Sequence, residues 1–178
     1  MKTRAGHNEF VAREAVIFII PLLLIAFGAW LKDFNTASAI FLLLTLCVAC
    51  FFRNPERRRA EEDDVVLSAA DGKVTAVTPG ITSKITGNGP YTRISVFMSI
   101  FNVHVNRWPV SGRVTGIKHI KGSFLDARVA DSSEVNERNA IVINSPSRTF
   151  EVVQIAGKIA RRIACWTRES DEVTRGDR

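Results

Sequence analysis

AVIFIIPLLLIAFGAWL at residues 15–31 and ASAIFLLLTLCVACFF at residues 37–52 decide the architecture of this 178-residue chain. Both stretches lack charged residues. At about 1.5 Å per residue, each predicts a helix of roughly 25 Å, slightly shorter than a hydrocarbon core of about 30 Å. Trp30 and Phe34 can extend this reach at the membrane interface. Because the linker at 32–36 is short, the pattern predicts an antiparallel helical hairpin in a membrane.

The basic residues around the predicted hairpin indicate its orientation. They flank its two ends at Lys2, Arg4, Arg13, Arg53, Arg57, Arg58 and Arg59. The linker contains Lys32 alone, so the positive-inside rule places both ends in the cytoplasm and the hairpin in the cell (inner) membrane. The net charge of +6 fits an anionic bilayer surface. Basic and aromatic residues do not alternate as they do in nucleic-acid readers, so we expect no nucleic-acid partner.

The first apolar stretch has two alternative interpretations. A cleaved signal peptide is disfavoured because Glu9 and Glu14 interrupt the approach, residues 27–30 lack a small-residue cleavage site, and a second apolar stretch follows at once. A shallow, re-entrant hairpin stays open. Pro21 can kink the first helix without ending it, since neighbouring groups can satisfy the freed backbone atoms.

The three cysteines do not indicate a disulfide framework or a metal site. Cys47 and Cys50 have Cys-x-x-Cys spacing, but both lie inside an apolar stretch. A redox or metal pair needs a polar turn or a helix terminus. We therefore interpret both as small side chains that face lipid or the other helix, and Cys165 as part of a strand-like run.

From residue 61 onward, the pattern predicts a mainly β domain of sandwich or barrel type. The acidic run at 61–64 marks the boundary between a membrane-anchoring part, 1–60, and a β-rich part, 61–178. A short helix is also possible within Ser123 to Asp131. Eight short β-branched runs separated by turn residues predict the strands. They are Val65 to Leu67, Val74 to Val77, Arg93 to Met98, Val103 to Asn106, Val114 to Ile120, Ala140 to Ile143, Arg148 to Ile155 and Ile159 to Trp166.

Several segments, taken in order, resemble one known family. They are FFRNPER (51–57), ADGKV (70–74), ISVFMS (94–99), FNVHVNR (101–107), PVSG (109–112), GSFLDA (122–127), NERN (136–139), QIAG (154–157) and ARRI (160–163). Together they resemble the short bacterial and archaeal form of phosphatidylserine decarboxylase over nearly the whole chain. The block from 94 to 112 is the most specific part of the match.

This resemblance implies a carboxy-lyase that converts phosphatidylserine to phosphatidylethanolamine through a Schiff base with a covalent pyruvoyl group. Such a cofactor provides the electron sink that decarboxylation needs. In the family, the chain continues past Arg-Gly-Asp-Arg (175–178) to a Gly-Ser site where the proenzyme cuts itself. We therefore expect the pyruvoyl-forming serine on a companion small α chain. Gly122-Ser123 is the one Gly-Ser pair here, but it falls within the GSFLDA motif, so Ser123 is not expected to be processed.

The resemblance also assigns roles to individual residues. His104 in FNVHVNR matches the family's catalytic His, and we expect it to act as the base in self-cleavage and to move protons during decarboxylation. Asp71 in ADGKV is expected to fix the His104 tautomer, following the logic of a catalytic triad. Asn102, Asn106 and Arg107 are the candidate substrate-binding residues, because amides and a planar guanidinium suit a phosphate or a carboxylate.

Other candidates are weaker. His7 lies near the N-terminus without a supporting motif, His119 lies in a predicted strand, and Glu137 with Arg138 is interpreted as a structural ion pair. An alternative function is a non-catalytic, membrane-anchored β-module, since 158–177 faintly resembles a biotinyl or lipoyl carrier domain. A lipid hydrolase would need a G-x-S-x-G elbow, which the sequence lacks. A homo-oligomer stays possible.

Overall fold

The computed structural model describes residues 9–57, 65–129, 131–146 and 148–178. Helix α1 covers Val16–Leu31 after a short 3-10 turn at Arg13–Ala15, and helix α2 covers Asn35–Phe51. Strands β1 (Lys73–Ile81) and β2 (Tyr91–Phe97) come next, followed by β3 (Gly112–Ile120). The short helix α3 (Ser132–Val135) precedes β4 (Arg138–Asn144), β5 (Thr149–Ile155) and β6 (Glu172–Val173). The expectation of a mainly β chain with an N-terminal apolar helix is confirmed.

Helices α1 and α2 lie side by side and turn most of their apolar side chains outward. The helical segment Arg13–Leu31 has a mean hydropathy of 2.3 and is long enough to cross a membrane, whereas Asn35–Phe51 is apolar but shorter. Pro21 lies inside α1 without ending it. Of the basic flanks, Arg13, Arg53 and Arg57 lie within the described residues, while Lys2, Arg4, Arg58 and Arg59 lie outside them.

The base of this helix pair is closed by hydrogen bonds between the segments that enter and leave it. Ala12 N donates to Phe52 O at 2.9 Å, and Asn54 N donates to Phe10 O at 2.7 Å. The Asn54 side chain is buried and donates to Glu9 O at 2.9 Å. The first residues of the described chain are therefore fixed against the segment that follows α2.

The strands form two separate antiparallel sheets. One has the order β5-β4-β3-β6, and the other is the β1-β2 hairpin. In the four-stranded sheet, Ile117 faces Ile141 and Ile143 faces Phe150. Its buried core consists of Val110, Val114, Ile141 and Ile143. Residues Asn139 to Ile143 of β4 are all buried, so this strand is covered on both of its faces.

Five of the eight predicted strands are confirmed, and three are wrong. Segments 65–67 and 103–106 contain no strand, because the neighbouring chain there makes isolated bonds such as Leu67 N to Pro109 O and Arg107 N to Ala69 O. Segment 159–166 also contains no strand, since bonds such as Gly157 N to Ala160 O close local turns instead. Cys165 is consequently exposed and not part of a strand. The predicted helix at 123–131 falls one turn later, at α3.

Candidate active site

A cleft of about 1010 Å³ opens between the two sheets and reaches the base of the helix pair. Apolar side chains of both sheets line it, among them Val96 and Val152. Phe51 and Phe52 line its end near the helices, and His104 lies on its wall. Since binding sites are commonly apolar clefts with a few converging polar groups, this cleft is the candidate active site.

His104 lies in the loop that connects β2 to β3 and thereby connects the two sheets. Its Nδ1 is 3.0 Å from the carbonyl oxygen of Asn102. A carbonyl only accepts hydrogen bonds, so Nδ1 carries the proton and Nε2 of the neutral ring has the free lone pair. Within the described residues, no hydrogen bond to Nε2 is found. His104 therefore presents a free basic nitrogen in a cleft.

The environment of His104 favours its neutral form. Burial is the main cause that lowers the pKa of His104, and the positive charge of Arg53 lowers the pKa further. The hydrogen bond to Asn102 O opposes both effects. A base must be unprotonated to accept a proton, so a lowered pKa keeps His104 competent at mildly acidic pH.

Asp71 and His104 are not brought into contact, but the segments that contain them are joined. The carboxylate of Asp71 binds the guanidinium of Arg57 at the start of β1. Two residues earlier, Ala69 O accepts bonds from Arg107 N at 2.9 Å and from Asn106 Nδ2 at 3.0 Å. The Asp71-Gly72 turn is itself tight, because a Cβ on Gly72 (φ 152°) would overlap Phe97 O. The role of Asp71 toward His104 stays a prediction.

The three candidate substrate-binding residues all bond within the protein. Asn102 Oδ1 accepts bonds from Ser99 N and Ser99 Oγ, both at 2.8 Å, and so shapes the loop before His104. The Arg107 guanidinium donates to Gly176 O at 3.0 Å and to Pro55 O at 2.6 Å. Burial is the main cause that lowers the pKa of Arg107, with Arg178 and Arg57 contributing. These contacts favour a structural role, and substrate binding by the three residues stays a prediction.

Sequence reasoning missed a chain of amides along the cleft. Asn139 Nδ2 donates to Gln154 Oε1 at 3.2 Å, and Gln154 Nε2 donates to Asn106 Oδ1 at 3.1 Å. Gln154 and Asn106 both line the cleft. Gln154 and Asn139 lie within the QIAG and NERN segments that resemble the family. The strand pattern alone did not indicate that their side chains would meet in the cleft.

The remaining histidines and the Gly-Ser pair lie elsewhere. His119 is on β3, where its Nε2 is 3.6 Å from Glu137 Oε1. Glu137 thus pairs with His119, and its expected partner Arg138 donates instead to Ser133 O at 3.4 Å. His7 lies outside the described residues. Ser123 is bound through its backbone to Val135 and Glu137 at the end of a turn.

Fold and site together define a β-rich enzyme with an apolar N-terminal helix and an imidazole on the wall of an apolar cleft. The family model described as phosphatidylserine decarboxylase matches residues 44–178. The phosphatidylserine decarboxylase proenzyme of Syntrophus aciditrophicus (strain SB) is 42% identical over 174 residues, covering 97% of this chain and 81% of that protein. The chain belongs to the phosphatidylserine decarboxylase family. This membership sets aside the alternative of a non-catalytic carrier-like module.

Proposed function

We propose that this chain is the larger, membrane-anchored part of an enzyme that decarboxylates phosphatidylserine to phosphatidylethanolamine, with His104 as its proton-transfer residue. One observation supports this most directly. His104 faces a large, mainly apolar cleft with Nδ1 committed to Asn102 O and Nε2 left to accept a proton. Such a ring can serve both self-cleavage and decarboxylation, since each step needs a proton moved at a defined atom.

In maturation, His104 Nε2 accepts the proton of the serine hydroxyl at the family's Gly-Ser cleavage site. The serine oxygen thereby becomes nucleophilic toward the carbonyl carbon of the preceding glycine. The bond to Asn102 O holds the ring in the required tautomer while this happens. Asp71 is the carboxylate proposed to support the resulting imidazolium. The two bonds at Ala69 O support this role, because they keep the Asp71 turn beside the segment that follows His104.

The cleft fits a pyruvoyl group by the chemistry of its walls. Apolar strands limit water, while His104, Asn106 and Gln154 place polar atoms in the same cleft and are the residues that would hold the group. When bound, the pyruvoyl group supplies an electron sink joined to the substrate amine. His104 Nε2 would accept the proton that the substrate ammonium group releases and would then donate it to the carbon that has lost CO₂. The amide chain from Asn139 to Asn106 fixes the orientation of the polar wall during this transfer.

In this proposal, the N-terminal and C-terminal parts of the chain have different roles. Residues 1–60 anchor it in the cell (inner) membrane as a helical hairpin, and residues 61–178 form a sandwich-like catalytic part on the cytoplasmic side. The outward apolar side chains of α1 and α2 support the anchoring role. A companion small α chain supplies the pyruvoyl group, and the name of the Syntrophus relative, a proenzyme, supports such processing.

The decisive experiment compares His104→Ala with His119→Ala in the full-length precursor. We expect no self-cleavage on gels for His104→Ala and normal cleavage for His119→Ala, because His119 lies outside the cleft, with Nε2 3.6 Å from Glu137 Oε1. Normal cleavage in His104→Ala would remove His104 as the base. Asp71→Asn is expected to block cleavage as well, and unchanged cleavage there would leave Asn102 O as the sole orienting group.

Two further measurements test the partner and the orientation. Borohydride added with labelled phosphatidylserine should place label on a small peptide, and label found only on residues 1–178 would contradict the companion chain.

Protease added to right-side-out vesicles should spare the β-rich part, whereas protease added to inside-out vesicles should cut it. The reverse pattern would contradict the cytoplasmic location.

A further inference from the structure

The end of helix α2 reaches the proposed base directly. Phe51, its last residue, stacks on the His104 imidazole with ring centroids 4.2 Å apart and an angle of 28° between the planes. Phe51 lies in the apolar stretch that anchors the chain, whereas His104 lies between the two sheets. One side chain thus connects the anchor with the catalytic chemistry.

A second contact from the same short segment holds the His104 loop. Arg53 donates through Nη2 to Phe101 O at 2.5 Å and through Nη1 to Cys50 O at 2.8 Å. Phe101 directly precedes Asn102, whose carbonyl oxygen binds His104 Nδ1. Phe51 therefore covers a face of the ring, and Arg53 fixes the main chain that orients it.

The segment that makes these contacts is itself fixed. Phe52 O and Asn54 are bonded to the chain that precedes α1, and Asn54 is 1% exposed. Phe18 of α1 also stacks on Phe52, with centroids 5.8 Å apart. Because both ends of the helix pair meet here, the segment that contains Phe51 and Arg53 is held from the helix side as well as from the cleft side.

We propose that Phe51 and Arg53 are positioning residues for His104, so that the helical hairpin which anchors the chain also sets the orientation of its base. The inference rests on the proposed role of His104. A stacked ring limits rotation of the imidazole and excludes water from its face. Orientation matters to this chemistry because a displacement of about 1 Å can slow a catalysed step about a hundredfold.

The test compares four variants of the full-length precursor in detergent micelles. Phe51→Leu removes the ring but keeps an apolar side chain, and Phe51→Tyr restores a ring. Arg53→Gln removes both hydrogen-bond donors and the charge, and Phe27→Leu removes a ring of α1 that stacks on Trp30 and does not line the cleft. Each variant is measured for its rate of self-cleavage and for the titration midpoint of His104 by imidazole NMR, assigned by the signal lost in His104→Gln.

We expect Phe51→Leu to slow cleavage by about ten- to a hundredfold and to move the His104 midpoint upward, toward that of a hydrated imidazole. Arg53→Gln should slow cleavage and move the midpoint in the same direction, since Arg53 is the described charged group that acts on His104. Phe51→Tyr should keep both values near those of the unmodified protein, and Phe27→Leu should leave both unchanged. The midpoint is a readout that a merely structural defect in the hairpin would not shift selectively.

Three results would overturn the inference. Wild-type rates and midpoints in both Phe51→Leu and Arg53→Gln would show that the anchor does not position the base. Equal slowing by Phe27→Leu would assign the effect to hairpin packing in general, and slow cleavage in Phe51→Tyr would exclude the stacked ring. Normal cleavage in His104→Ala is a separate result, because it would remove the proposed base itself.

Discussion

The two sheets that border the cleft are stabilised in different ways. The four-stranded sheet has its own buried core, in which Val114 and Ile143 are at most 1% exposed. The β1-β2 hairpin has none, and Val77 and Ile94 on it are about 60% exposed. The hairpin is held instead at its tip, where Glu151 of β5 accepts bonds from Ser83 Oγ and Thr86 Oγ1, each at 2.8 Å. One wall of the site is thus a stable platform, and the other depends on a few polar contacts.

The largest expected effect tests the platform directly. Ile143→Ala should lower the free energy of unfolding by about 3 kcal/mol, because it removes buried methyl groups and leaves a cavity. The matched change Ile94→Ala on the hairpin should cost less than about 0.5 kcal/mol, since that side chain is mostly in solvent. Urea unfolding followed by tryptophan fluorescence measures both. Equal costs would show that the hairpin is as well packed as the platform.

A substitution at Asn136, in the loop that precedes β4 of the platform, should lower the free energy of unfolding nearly as much. The buried Asn136 side chain donates to Leu125 O and Ala156 O, both at 2.9 Å, and accepts from Leu125 N at 2.8 Å. Asn136→Ala leaves these main-chain groups unpaired, so we expect a loss of about 2 kcal/mol. Asn144→Ala, at an exposed position on β4, is the control for the same urea experiment. If Asn136→Ala lowered the free energy of unfolding no more than Asn144→Ala, the stabilising role of these hydrogen bonds would be contradicted.

A smaller and more local effect is expected at the tip of the hairpin. Glu151→Ala removes the acceptor of two hydroxyl groups and should cost about 1 kcal/mol. Backbone amides at 83–88 should exchange faster with solvent, while those of β3 and β4 stay protected. Glu172→Ala, whose carboxylate lies 4.0 Å from exposed Arg113, should change neither measurement. Faster exchange throughout the platform would mean that the two sheets unfold as one unit.

The smallest effect concerns His104, which lies between the sheets. Its pKa is lowered in the folded state, mainly by burial, from an ordinary value of 6.5. Below pH 6.5 the unfolded chain therefore binds more protons, and stability falls as the pH falls through that value. His104→Gln should remove the part of this slope that lies at and below about pH 6.5. An unchanged slope in the variant would show that His104 titrates normally in the folded chain.

The sequence was sufficient for elements that are specified by local patterns. Helices α1 and α2 follow from uncharged apolar runs, and β3, β4 and β5 follow from β-branched alternation between turn residues. The segment 159–166 was also predicted to be a strand from its apolar residues at strand spacing. Its main chain forms hydrogen bonds within local turns instead. Whether an extended segment finds a neighbouring strand depends on the rest of the fold, and periodicity does not contain that information.

The site shows the same limit. His104 and Asp71 were identified through their resemblance to family motifs, and their immediate partners could not be. The Nδ1 partner proved to be a carbonyl two residues away, and the Asp71 partner proved to be Arg57. The stacking of Phe51 on His104 joins residues 53 positions apart in the sequence, a proximity created only by packing. Long-range contacts of this kind leave no trace in spacing or composition.

The hydrogen bonds of Arg107 have a consequence for the timing of biosynthesis. Its guanidinium ties Pro55 O to Gly176 O, so it joins the segment after helix α2 to a segment more than a hundred residues later. During translation, this three-way junction cannot form until residue 176 has left the ribosome. The His104 loop directly precedes Arg107, so the hydrogen bonds that hold the end of this loop are complete only then. Under the proposed function, self-cleavage therefore follows the synthesis of both apolar helices.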